Sequence, residues 1–294
     1  MLAYYLVRGL IALFSITPFW LLYALSDLMS WLLRGPLPYR RRVILDNLRQ
    51  AFPHLSETER ISIQKAFYRN LCDILFETLK GLSMDRKTIE KRVRIVGEAN
   101  MNAYAREGTE VVGLAAHIAN WEWPAMIINR NVQHNTIGIY KPIKNKRIDT
   151  LIQRKRESLG SPVHSLKDFR SLLFATQNPD ESPRCVLLIA DQTPPSTKGV
   201  VWTPFMGLDT PWYPGAELYS RRRKTPLIYF DVHREKRGHY RLDIEVLHDA
   251  PHELPRGGVT RLYAERLRQR IEEKPEDWLW SHRRWKRARP LTNA

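Results

Sequence analysis

Between residues 93 and 247, short runs rich in β-branched and aliphatic side chains alternate with stretches of helical spacing. This alternation leaves few folds open to the chain. The runs are VRIVG (93 to 97), EVVGLAA (110 to 116), TIGIY (136 to 140), CVLLIAD (185 to 191), PLIYFDVHR (226 to 234) and YRLDIEVL (240 to 247). Helical patterns separate several of them, the first around NMNAYARE. The pattern specifies an α/β fold, a central mixed β-sheet flanked by helices.

The sheet-forming region is preceded by helices. YRRRVILDNLRQAF has helical spacing in Val43, Leu45, Leu48 and Phe52, and Pro53 ends it. A second helix opens at Ser56, where SETE reads as a capping box, and should turn Ile61, Phe67, Leu71 and Leu75 inward. Near the other end, VTRLYAERLRQRIEEK is an amphipathic helix stopped by Pro275. Residues 40 to 294 contain no internal repeat or low-complexity linker.

The N-terminal stretch differs in kind. No charge occurs from Gly9 to Ser26, and apolar residues continue to Leu33 with only Asp27 and Ser30 between. Such a run is long enough to enter a bilayer. It continues past the small residues that could mark a signal-peptide cleavage, so a retained membrane anchor over residues 1 to 34 is expected, followed by one domain over 35 to 294. Pro18 also permits an interfacial hairpin or tilted helix. Arg34, Arg40, Arg41 and Arg42 follow the run and would hold the domain on the cytoplasmic side.

Lys and Arg outnumber Asp and Glu by 47 to 31, a formal charge of +16. This favours acidic partners: nucleic acid, anionic lipid or an acidic carrier protein. Cys72 and Cys185 are the only cysteines and lack metal-ligand spacing, so neither a disulfide framework nor a zinc site is expected. A reducing compartment is the simplest setting.

A His followed five residues later by an acid occurs three times, at His54/Glu59, His117/Glu122 and His248/Glu253, where about one match is expected by chance. Glu59 already has a capping task, and His248 lies in the polar, proline-containing segment LHDAPHELPRGG. His117 instead follows a hydrophobic strand directly, and Pro124 suits the first turn of a helix just beyond Glu122. The pair therefore flanks a strand-to-helix junction, where α/β sheets bind ligands. Within one regular helix residues five apart diverge by about 140°, so the pair meets only through a non-helical turn. There an imidazole can take a proton from a hydroxyl while a carboxylate fixes its tautomer. A structural histidine fits the same residues equally well.

HIANWE resembles the H-x4-D/E signature of glycerolipid-type acyltransferases, in the version found in bacterial lipid A secondary acyltransferases. RRVILDNLRQAFP (41 to 53), KRESLG (155 to 160), LIADQTP (188 to 194), TPFMG (203 to 207) and PEDWLWSHRRWK (275 to 286) are similar to segments of that family in the same order. The resemblance implies a bacterial inner-membrane enzyme with a glycerolipid acyltransferase-like sheet, its catalytic domain on the cytoplasmic face. It would move a fatty acyl group from acyl carrier protein, or a coenzyme A thioester, to a hydroxyl of an acylated glucosamine disaccharide.

On this resemblance His117 is the general base and Glu122 its orienting partner, with no metal, cofactor or cysteine nucleophile. Arg156 would hold the oxyanion, a substrate phosphate or the carrier's phosphopantetheine, with Arg154 as the neighbouring alternative. Asn120, Asp191 and Gln192 would line the acceptor site. Arg221, Arg222 and Arg223 form either a landing surface for the carrier or sugar phosphates, or a merely solvated run. Trp278, Trp280 and Trp285 either pack the C-terminal segment onto the domain or sit at the membrane interface. The expected partners are the carrier, the lipid A precursor and membrane lipid, not nucleic acid. Acylation of another lipid, such as a lysophospholipid or a mannosylated glycolipid, and a non-catalytic, membrane-tethered basic binding protein are the competing readings.

Overall fold

A computed structural model describes residues 1 to 178, 180 to 287 and 289. Its centre is a seven-stranded sheet of order β1-β9-β8-β2-β5-β3-β4. The strands are β1 (Val93–Val96), β2 (Val111–Ala115), β3 (Asn135–Tyr140), β4 (Val163–Ser165), β5 (Arg184–Ile189), β8 (Leu227–Lys236) and β9 (His239–His248). Only the β8–β9 hairpin is antiparallel; every other pairing is parallel, giving the mixed α/β sheet expected. All five residues of β2 are buried, as a central strand covered on both faces requires. Gly113 on β2 is fitted to that crowding. A Cβ there would stand 2.6 Å from the Phe230 ring and 3.1 Å from Leu187.

A two-stranded ribbon, β6 (Val201–Phe205) and β7 (Leu208–Trp212), lies apart from the sheet. Met206 and Gly207 both take positive φ, the conformation of a two-residue hairpin turn whose twist matches the strands. Pro204 and Pro211 conceal this ribbon in the sequence. Both strands of an isolated pair have an open edge, where a missing N–H costs nothing.

The helices before the sheet are α1 (Leu2–Ile16), α2 (Phe19–Arg34), α3 (Arg41–Ala51) and α4 (Glu57–Gly81). The capping box at Ser56 is present, with Glu59 reaching back to the Ser56 amide at 2.7 Å. α4 does not bury the stripe expected of it: Phe67 and Leu71 face inward, but Ile61 and Leu75 are exposed. The inward face carries polar residues instead. Asp73 accepts from Ser26 at 2.6 Å and pairs with Arg234 and Arg237, while Glu77 receives Tyr23 and Tyr240 at 2.9 and 2.6 Å. A charge as deeply buried as that of Asp73 persists only when paired and hydrogen-bonded in this way.

This network fastens α2 along α4, and Lys80 adds 2.7 Å bonds to the carbonyls of Phe14 and Thr17 at the end of α1. The apolar stretch expected to anchor the chain is therefore two helices divided at Pro18, where the sequence permitted a break, and not one continuous span. The apolar run breaks at Thr17–Pro18, and its parts hold 15 and 16 residues. Each spans about 24 Å or less, short of a hydrocarbon core of about 30 Å. Among the described residues no helix is long and apolar enough to cross a membrane. The two helices nevertheless expose Leu2, Leu6, Leu13, Ile16, Trp20, Leu25, Leu28 and Trp31.

Candidate active site

The sheet register brings the central residues together. β2 and β5 are parallel neighbours with Ala115 opposite Ile189, so His117 and Asp191 each lie two residues beyond a matched strand end. The Asp191 carboxylate accepts the His117 backbone N–H at 3.0 Å and faces the ring Nδ1 at 2.6 Å. The indole N–H of Trp278 reaches the same carboxylate at 2.9 Å. With Nδ1–H donating to Asp191, Nε2 is left as the acceptor, and it meets the Gln192 side-chain amide at 3.2 Å.

The loop after His117 is pinned from the C-terminal side. The Ala119 N–H bonds the Asp277 carbonyl at 3.0 Å, and Ile118 pairs with Trp278 in a short bridge. Ala119 adopts positive φ, which supplies the non-helical turn before α7 (Glu122–Ile127).

Glu122 does not orient the imidazole, which corrects the partner expected for His117. As the first residue of α7 it directs its carboxylate to Arg156 of α8 (Lys146–Ser158) at 2.5 Å and to the Trp121 indole at 3.2 Å. Trp121 packs against the imidazole, with ring centres 4.8 Å apart. Asn120 is also turned away from the expected acceptor site. It is fully buried, donating to Glu77 at 2.8 Å and accepting the Trp123 N–H, so it ties the loop to α4. Arg154 is exposed on α8.

Arg221, Arg222 and Arg223 close α10 (Gly215–Arg223), ahead of the first residue of β8, and so lie toward the opposite end of the sheet from His117. Arg221 bonds Glu217 and two carbonyls, and Arg223 pairs with Glu110, so neither is the free landing surface considered for the cluster. Arg222 alone is exposed, over the Phe174 ring.

Burial draws the His117 imidazole toward its neutral form. The charge and hydrogen bond of Asp191, with the Glu122 charge, outweigh it and hold the pKa above the ordinary imidazole value. Burial likewise pushes the Asp191 carboxyl up, but His117, the Trp278 indole and the His117 amide together bring it below the usual carboxylate range. Burial pushes the Cys72 and Cys185 thiols up to about 12, leaving no thiolate nucleophile at neutral pH.

His117, Trp121 and Glu122 line a groove of about 700 Å³ whose other walls include Leu33, Phe67, Leu75 and Trp278. Trp278 was expected either to pack the C-terminal segment or to sit at the membrane interface. It does pack, as does Trp280, and it also holds Asp191. Its place in the ordered C-terminal motif was the available signal.

An imidazole backed by a buried carboxylate thus lines an apolar groove. A family model of bacterial lipid A biosynthesis acyltransferases matches residues 1 to 287. The chain is similar to two lipid A biosynthesis acyltransferases of Haemophilus influenzae. One is 25% identical over 84% of this chain and 78% of the relative; the other is 22% identical over 80% and 72%. The protein belongs to the bacterial lipid A biosynthesis acyltransferase family and is an acyltransferase of lipid A synthesis. A non-catalytic binding protein is thereby set aside.

Proposed function

We propose that the enzyme transfers a fatty acyl group from an acyl carrier protein thioester to a hydroxyl of an acylated glucosamine disaccharide, with His117 as general base. The observation that carries this reading is the His117 ring itself. Asp191 fixes Nδ1 as the protonated nitrogen, His117 lines an apolar groove, and Nε2 meets an amide that a substrate hydroxyl can replace.

Nε2 accepts the hydroxyl proton as the oxygen attacks the thioester carbonyl, and Asp191 stabilises the imidazolium that forms. The tetrahedral intermediate collapses with cleavage of the C–S bond, and the imidazolium returns its proton to the departing thiolate. Glu122 holds the Arg156 guanidinium near the groove mouth, where it serves the developing oxyanion. The two buried, high-pKa cysteines agree with direct transfer without an acyl-enzyme. The exposed apolar side chains of α1 and α2 support seating in the cytoplasmic face of the inner membrane, the two helices lying in the interface and the groove open to lipid.

Purified full-length protein is incubated with acyl carrier protein thioester and the disaccharide lipid, and products are read by mass spectrometry. One acyl increment on the disaccharide is expected, and His117→Ala should slow it by at least about a hundredfold while the protein stays folded by circular dichroism. Acylation of a lysophospholipid in preference to the disaccharide, or a variant at near-native rate, contradicts the reading.

A further inference from the structure

A second cleft, of about 1030 Å³, adjoins the catalytic groove, and Arg40 and His282 line both. Its walls come from the entry to α3 and from the C-terminal segment. They bring Arg40, Arg41, Arg42, Arg49, Arg283 and Lys286 together with no acidic residue. His282 adds no charge: burial pushes its pKa down to about 4, and its Nε2 accepts the Thr193 N–H at 3.0 Å.

Two of the cations are engaged, Arg49 with Glu57 at 2.6 Å and Arg40 with the Ser281 carbonyl at 2.9 Å. Arg41, Arg42, Arg283 and Lys286 are exposed and meet no carboxylate among the described residues. This contrasts with the arginines at 184, 221, 223, 234, 237 and 270, each of which has an acidic partner. The first turn of α3 also lacks an acid and a side-chain cap, so the positive end of its dipole adds to the same field. Four unneutralised cations around one concavity repel one another unless an anion joins them.

We propose that this cleft binds a phosphomonoester on the headgroup of the acceptor lipid, placing the sugar hydroxyl at His117 while the acceptor's acyl chains occupy the groove. The assignment rests on the reading of the acceptor as a sugar lipid. A phosphomonoester carries a charge of about −1.5 to −2 at neutral pH and presents three acceptor oxygens, which suits several guanidinium groups at once. The position of the cleft favours a lipid. Exposed Leu37 lies between the apolar face of α2 and Arg40, so a headgroup enters from the side where its chains find apolar cover. A carrier protein would instead need a docking area of about 1,200 Å² or more, whereas these charges converge into a concavity.

The test compares full-length enzyme with the triple variant Arg41→Ala/Arg42→Ala/Lys286→Ala. Each is assayed on the phosphorylated disaccharide lipid and on the same lipid after phosphatase treatment. Removing the phosphates should lower kcat/KM of the unaltered enzyme by about tenfold to a hundredfold, and the triple variant should show a similar loss on the phosphorylated lipid. The two losses should not add, and the variant should no longer distinguish the two lipids. Because the substituted side chains are exposed, the melting temperature should stay within a few degrees.

Additive losses, or a variant that still prefers the phosphorylated lipid, overturn the assignment. So does a loss confined to the KM for the acyl carrier thioester, which makes the cleft a carrier site. Equal use of both lipids by the unaltered enzyme defeats the phosphate inference while sparing the proposed reaction, whereas transfer to neither lipid defeats both.

Discussion

Strands β2 and β5 carry a buried carboxylate at each end, and the two ends behave differently. Before β2, Glu110 meets Arg184 at 2.6 Å and Arg223 at 2.7 Å, with one guanidinium on each oxygen. Arg184 also reaches the Gln177 side chain and the Ala175 carbonyl, both at 3.0 Å. After β5, Asp191 is equally saturated, by two groups of His117 and one of Trp278. Its partner, however, keeps a ring nitrogen on a groove, met only by an amide at 3.2 Å. Burial and charge are common to both ends. A basic atom left facing accessible apolar space distinguishes the site from a structural ion pair.

This contrast can be broken by substitution at either end. Glu110→Ala should have the largest effect on stability. It leaves two guanidinium groups without their anion and should cost about 2 to 4 kcal/mol, below the range for a fully buried pair because Arg223 is partly exposed. Denaturant titration reads the loss, and turnover per folded molecule should match the unaltered enzyme. A fall in turnover without a fall in stability would erase the distinction between the two ends.

Asn120→Ala should cost about 1 to 3 kcal/mol, because it strips a donor from buried Glu77 and an acceptor from the Trp123 N–H. Its loss should appear in both melting and transfer rate, since the same loop carries His117. Trp278→Phe should have the smallest effect. It keeps an aromatic ring but removes one donor to Asp191, worth about 1 kcal/mol or roughly fivefold in kcat/KM. An unchanged kcat/KM would show that two bonds from His117 suffice to hold the carboxylate.

Local signals made much of this legible. The apolar runs gave six of the sheet strands because each is short and bounded, and the capping box gave the start of α4. His117 stood out because a strand precedes it directly. Its true partner did not, because Asp191 lies 74 residues away and the two meet only through the β2–β5 register. Glu122, nearer in sequence, took the part on its spacing and on the family resemblance, although a helix start carries its side chain to Arg156. The inward stripe of α4 was misread for a related reason. Asp73, Glu77 and Lys80 are buried against partners on α1, α2, β8 and β9, which no local pattern displays. In the same way Asn120 read as a substrate contact when its amide faces Glu77.

We propose that Asp191, rather than Glu122, governs the basicity of His117, and the pH dependence of kcat/KM separates the two. With His117 as the proposed base, transfer requires its neutral form, so activity should fall as pH drops through an imidazole pKa held above its ordinary value by the Asp191 anion. Asp191→Asn removes that anion, so the acidic limb should move to lower pH while the plateau falls by about a hundredfold or more from loss of the correct tautomer. Glu122→Gln, which removes a weaker and more distant charge, should move the limb less. A limb that stays in place in Asp191→Asn and shifts in Glu122→Gln would contradict the account.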